Sequence, residues 1–192
     1  MSIRLHDYVL SAECYTVRLM LALLRVPYEK IAVDAYPGGA DCPALIEGDD
    51  VQRDPGLILT FLARAHNPQW LPPDNAQEIA GWLAFTATRL SALAEARRVA
   101  LMGTEGDLDA LNAKGRDALR LLEDTLTERR IADRDWLVGT TPTIADIAVF
   151  PHVMLSHDSG IGHEDYPAIN LWQRRVRKLP GFIGMPGIPD YF

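Results

Sequence analysis

The chain has 192 residues, 48% of them hydrophobic and 23% charged, with a formal net charge of −7. That length and composition allow one large or two small globular units with a sizeable core, and they exclude a fibrous or low-complexity chain. The excess of acidic side chains repels phosphate, so small molecules or other proteins are expected as partners, with no nucleic acid and no anionic membrane surface.

From the N-terminus, Ile3 and Leu5 alternate with polar neighbours and Tyr28 to Val33 is a β-rich run, which predicts two strands. Between them, Cys14 to Arg25 reads as a helix, with Val17, Met20, Leu21 and Leu24 at i, i+3, i+4 and i+7; Pro27 forbids its continuation. Ala44 to Glu47 and Asp50 to Gln52 are strand candidates around a Gly48-Asp49 turn. Asp54-Pro55, a capping acid followed by proline at the first helical position, opens a second helix with Leu57, Phe61, Leu62 and Ala65 on one face.

After the turn-rich residues 67–73, which contain Pro68, Pro72 and Pro73, the pattern is helical throughout. Ile79, Trp82, Leu83, Leu90 and Leu93 predict one long helix, and Leu108, Leu111, Leu119, Leu122 and Leu126 another, joined through Gly103 to Gly106. Thr143, with Asp146 three residues on, forms a capping-box pattern before Ile144, Ile147, Ala148 and Val149. Pro167 starts the last helix, with Ile169, Trp172, Val176 and Leu179 facing inward. The expected organisation is an α/β domain over residues 1–66, a linker at 67–73 and an all-α domain over 74–192.

The longest strictly apolar run, Leu19 to Leu24, is far below the ~18 residues of a membrane span. Arg4, His6 and Asp7 precede any apolar stretch, unlike a secretory leader, so a cytoplasmic location is expected. Cys14 and Cys42 have neither a Cys-x-x-Cys spacing nor a dense framework and fit reduced intracellular thiols. His152, His157 and His163, with Asp158, Glu164 and Asp165, match no compact ligand spacing, so no metal is expected and a solvated loop is the plainer reading. Arg97-Arg98 reads either as a surface ion pair or as a cation for an acidic substrate group.

Three local patterns carry a resemblance. Ser11-Ala12-Glu13-Cys14-Tyr15-Thr16-Val17-Arg18 resembles the Ser-x-x-Cys/Ser-x-x-Val-Arg start of the first helix of the cytosolic glutathione transferase superfamily. Pro142-Thr143-Ile144-Ala145-Asp146-Ile147-Ala148 is similar to that superfamily's buried Ser/Thr-x-x-Asp cap, and Tyr166-Pro167 through Trp172 to Leu179-Pro180-Gly181-Phe182 to its closing helix. The resemblance covers nearly the whole chain. It implies a thioredoxin-like N-terminal domain, an all-helical C-terminal domain, glutathione as co-substrate, a small electrophile as second substrate and a homodimer.

Carried over residue by residue, the resemblance makes Ser11 the hydroxyl that stabilises the glutathione thiolate, with Tyr8 as runner-up donor and Cys14 as a nucleophile or a buried residue. Cys42 would align the peptide through its backbone beside a cis Pro43, and Asp54 would bind the γ-glutamyl ammonium. Two departures follow. Pro55 stands where the superfamily has a serine and offers neither hydroxyl nor N–H, so Gly56 N–H must serve the γ-glutamyl carboxylate. Residues 35–42 are too short for a sheet crossing plus a helix. Two functions stay open: glutathione-dependent conjugation or reduction of a small electrophile, and a non-catalytic binding or regulatory module with weak or no glutathione binding.

Overall fold

The structure is a computed structural model that describes residues 2–33 and 42–185. The expected absence of a helix before Pro43 concerns a segment that, apart from Cys42, lies outside the described residues. The N-terminal part is a four-stranded sheet in the order β2-β1-β3-β4, built from β1 (Ile3–Asp7), β2 (Tyr28–Ala32), β3 (Ala44–Glu47) and β4 (Asp50–Gln52). β1 pairs parallel with β2 through Ile3 opposite Tyr28 and antiparallel with β3 through Leu5 opposite Leu45. The parallel pair needs a crossover, which α1 (Ala12–Leu23) supplies; α2 (Pro55–His66) follows β4. Period-two alternation in β1 buries Ile3, Leu5 and Asp7 on one face.

The helical part comprises α3 (Ala76–Phe85), α4 (Ser91–Met102), α5 (Leu108–Ile131), α6 (Ile144–Met154) and α7 (Pro167–Arg177). The mixed sheet followed by helices agrees with the expected fold class. The single helix expected over Ile79 to Leu93 is instead two α-helices joined by a π-helical turn, Thr86–Leu90. Thr86 Oγ1 donates to Trp82 O at 2.9 Å and Thr88 Oγ1 to Ala84 O at 2.7 Å, hydroxyls that re-engage carbonyls where the regular ladder is interrupted. A one-residue widening leaves the apolar stripe nearly intact, so periodicity does not register it.

α6 is apolar on every side and buried along its whole length. Its capping box forms as expected: Thr143 N–H donates to Asp146 Oδ2 at 2.9 Å and Ala145 N–H to Thr143 Oγ1 at 3.3 Å. Asp146 goes further, accepting from Leu137 N–H at 3.1 Å and from Trp172 Nε1–H at 2.9 Å, and so ties α6 to α7. α1, α2 and α3 all pack on α6, and one continuous core runs from Leu5 and Met20 through Ile147 and Phe150 to Leu119 and Trp172. At the far end Gly181 adopts φ +93°, and a Cβ there would lie 2.9 Å from Ala22 O, so the tail can turn against the end of α1 only with glycine at this position. Among the described residues no helix is long and apolar enough to cross a membrane.

Candidate functional site

Ser11 sits where the chain leaves β1 and enters α1. Its backbone is extended (φ −74°, ψ 130°), and its Oγ accepts from Cys14 N–H at 3.0 Å, so it caps the helix. The hydroxyl proton goes to Glu13 Oε2 at 2.8 Å. Two buried arginines hold the turn before it. Arg18, from the inner side of α1, pairs with Asp7 and donates to Val9 O at 3.1 Å; Lys30 Nζ adds a contact of 2.9 Å to Asp7 Oδ2. Arg97, from α4, donates to Leu10 O and through Nε to Asp158 Oδ2 at 2.7 Å. Arg97 is 4% exposed, which corrects both sequence readings: it is neither a surface pair nor a free cation for a substrate but an internal brace for the residue before Ser11.

Cys14 is fully buried and its Sγ accepts from Tyr8 N–H at 3.4 Å. Burial pushes its pKa up to about 12, so at neutral pH it is a thiol and not a nucleophile. Cys42 is also buried, its sulfur interacts with that of Cys14, and burial raises its pKa as well. The Cys42–Pro43 peptide bond is cis and leads directly into β3. Asp54 caps α2, its Oδ1 accepting from Leu57 N–H at 2.8 Å, with Pro55 at the first helical position as expected from its fixed φ.

A cleft of about 360 Å³ opens between these helix starts and the helical part. Glu13 and Thr16 of α1 form one wall, Asp54, Pro55 and Gly56 at the start of α2 another, and Leu83, Ala84, Thr86 and Ala87 around the π turn a third. Ala148 and His152 of α6 close it. Its surface is mostly apolar with few charged groups, the usual make-up of a small-molecule site. Of the residues selected from sequence, Asp54 and Gly56 line the cleft, Ser11 reaches it through Glu13, and Cys42 and Pro43 lie outside its lining.

Glu13 and His152 are the cleft residues that the sequence reading left without a role. Burial opposes ionisation of Glu13, but His152, a hydrogen bond from its own backbone, the Ser11 hydroxyl and Arg98 together outweigh it and hold its pKa below the usual carboxylate value. Arg98 Nη1 lies 3.7 Å from Glu13 Oε1. Burial pushes the His152 pKa down against the pull of Glu13. Both positions carried a local signal: Glu13 is an acid in the first turn of a helix, and His152 interrupts an otherwise apolar helix.

Of the group read as a solvated loop, His157, Glu164 and Asp165 are exposed as expected, whereas His163 is structural, which corrects that reading at this position. His163 is 4% exposed, its Nε2 lies 2.8 Å from Ser156 Oγ and its Nδ1 3.2 Å from Gln173 Nε2, and its carbonyl accepts from Asn170 Nδ2 at 2.7 Å. Among the described residues no group of three or more His, Cys, Asp or Glu side chains could hold a metal ion.

A small mixed sheet with a cis-proline entering its third strand, joined through one core to a helical bundle, defines a two-part thioredoxin-like and helical class of protein. Residues 94–175 match the family model for the glutathione S-transferase C-terminal domain. The glutathione S-transferase verG of Clonostachys rogersoniana is 25% identical over 187 residues, covering 85% of this chain and 78% of that protein. The crystal structure of a glutathione S-transferase from Pseudomonas fluorescens superposes with a TM-score of 0.84 at 27% identity, covering 97% of this chain and all of that one. Ure2p in complex with glutathione has the same fold, with a TM-score of 0.82 at 21% identity over 94% of this chain and 96% of that one. The chain is thus similar to glutathione transferases over nearly its whole length, with the family model matched in the helical part.

Proposed function

We propose that this protein binds glutathione across the starts of α1 and α2 and uses its thiol on a small electrophile, in conjugation or reduction. The observation that carries this reading is the convergence of two helix N-termini, those of α1 and α2, on one mostly apolar cleft. Helix N-termini favour anionic groups, which suits a peptide carrying carboxylates and a developing thiolate. Ser11 is the hydroxyl that stabilises sulfur, the Cys42 backbone and Pro43 align the peptide, Asp54 takes the ammonium, and Gly56 N–H takes the γ-glutamyl carboxylate that Pro55 leaves unserved. Asp54 retains acceptor capacity for this role, since its Oδ1 bond to Leu57 N–H leaves Oδ2 available. The glutathione bound by Ure2p, a protein of the same fold, supports the ligand assignment.

We also propose a glutathione-site domain over residues 1–66 and a helical domain after 73, association of two copies, and an intracellular location consistent with two free cysteines. Calorimetric titration of glutathione into the full chain, together with an assay on a general electrophile, tests the function. Binding and turnover are expected, and Ser11→Ala should lower the rate by up to ~10²-fold, the scale of one oxyanion-type donor. Binding without turnover would make the protein a binding module, and absence of both would end the glutathione reading.

A further inference from the structure

We propose that the second-substrate side of this cleft selects an electrophile whose apolar body carries a hydrogen-bond donor, a hydroxyl or amino group, because the side chains that line it, among the described residues, offer acceptors and no free donor. The inference rests on the glutathione reading above and names the substrate class of that same site.

Glutathione laid across the starts of α1 and α2 leaves the π turn, the start of α4 and α6 to face the second substrate. The polar side chains there are Thr16, Thr86, Ser91 and His152, with Glu13 at the border. Each hydroxyl has one proton to give and lone pairs to spare. The protons are spent inside the helices: Thr16 Oγ1 donates to Ala12 O at 3.0 Å, Thr86 Oγ1 to Trp82 O at 2.9 Å and Ser91 Oγ to Thr88 O at 3.2 Å. What these hydroxyls keep for a ligand is their lone pairs. Glu13 accepts by nature: Oε2 receives the Ser11 hydroxyl at 2.8 Å, and Arg98 approaches Oε1 at 3.7 Å from outside the lining, so acceptor capacity remains.

His152 completes the set. The residue is 6% exposed, and its buried Nδ1 has no hydrogen-bond partner. The Ala148 carbonyl, one turn back on α6, attracts a ring proton without closing a bond of normal geometry to Nδ1. Burial keeps the ring uncharged at neutral pH, so it holds one proton. With that proton on Nδ1, toward the carbonyl, the ring meets the cleft as an acceptor through Nε2.

A ligand entering this space strips water from the lone pairs and must supply protons in its place. An O–H or N–H does so. An ether oxygen sets lone pair against lone pair, and a carboxylate adds repulsion from Glu13. A site built around a hydrogen bond rejects the analogue that lacks it more strongly than an apolar pocket rejects a missing methylene.

The test titrates the full chain by calorimetry with three S-benzylglutathiones that carry a hydroxymethyl, a methoxymethyl or a carboxylate group at the para position. The hydroxymethyl conjugate should bind about tenfold more tightly than the methoxymethyl one, and the carboxylate should bind most weakly. Conjugation of the matching benzyl chlorides, in which sulfur displaces chloride, should follow the same order in kcat/KM. His152→Leu should shrink the preference for hydroxymethyl over methoxymethyl, and His152→Gln, which keeps a lone pair, should preserve it. The ranking is read on the wild-type chain, so it does not depend on how the variants fold. Equal affinities, or a preference for the methoxymethyl or carboxylate conjugate, would overturn this inference alone. Failure of glutathione and of all three conjugates to bind would overturn the glutathione reading itself, and this inference with it.

Discussion

Pro55 occupies the first turn of α2 at the mouth of the cleft, where its ring stabilises the helix start and removes two donors from the ligand side. Pro55→Ser restores a hydroxyl and an N–H without moving the Asp54 cap, and glutathione should bind about tenfold more tightly, the scale of one hydrogen bond to a charged group after ordering costs. Calorimetry on the two proteins checks this; equal affinities would mean that Gly56 already serves the carboxylate. His163 carries a second expectation. Burial, then the His157 ring at 4.2 Å, push its pKa from 6.5 to about 4. The unfolded chain therefore binds a proton near pH 6.5 that the folded chain refuses until about pH 4. The resulting stability is complete above pH 6.5 and is lost as pH falls through this window, by on the order of 3 kcal/mol in all. His163→Gln should flatten the fall in melting temperature between pH 6.5 and 4, and an unchanged slope would place the acid sensitivity elsewhere.

Among the elements, α6 depends on Asp146 for more than its cap. The carboxylate joins the Thr143 turn, the Leu137 segment and Trp172 of α7, all inside the core. Asp146→Ala leaves the Leu137 N–H and the Trp172 Nε1–H without acceptors, each costing about 1–3 kcal/mol when buried, so a loss of roughly 2–5 kcal/mol is expected. Thr143→Ala removes only the capping oxygen and should cost about 1 kcal/mol. Denaturant unfolding of both variants separates the roles, since equal losses would reduce Asp146 to a cap. The Thr143 and Asp146 spacing was legible in the sequence because a capping box is a local pattern. The bonds to Leu137 and Trp172 were not, because they depend on how α6 and α7 pack.

Over the whole molecule, the sheet and the helical bundle share one core, with α6 packed against α1 and α2 as well as against α3 and α7. The two parts should unfold in a single transition, with tryptophan fluorescence and far-ultraviolet circular dichroism coinciding, and separated midpoints would show two independent units. Leu57 on α2 is 64% exposed and Val51 on the edge strand β4 is 49% exposed, apolar surface that a second copy would cover. Light scattering at micromolar concentration should give twice the 21.3 kDa chain mass. Leu57→Glu should shift the mass toward one chain if that surface forms the contact.

What the sequence by itself determined is the succession of strands and helices, the starts of α1, α2, α6 and α7, and the resemblance to the glutathione transferases. These rest on relations within about four residues or on alternation along one segment: Ser11 before a helix, Asp54 before Pro55, Thr143 before Asp146. The end of α7 is an exception, since Leu179 follows the apolar period but lies beyond Arg177, the last helical residue. Only the tertiary structure decided the character of the cleft. Arg97 reaches a carbonyl 87 residues away in the chain, His152 of α6 and Glu13 of α1 line the same cleft, and the π turn at Thr86–Leu90 shapes the opposing wall. These contacts depend on how the helical part packs against α1, a long-range arrangement that hydrophobic periodicity orients but does not specify residue by residue.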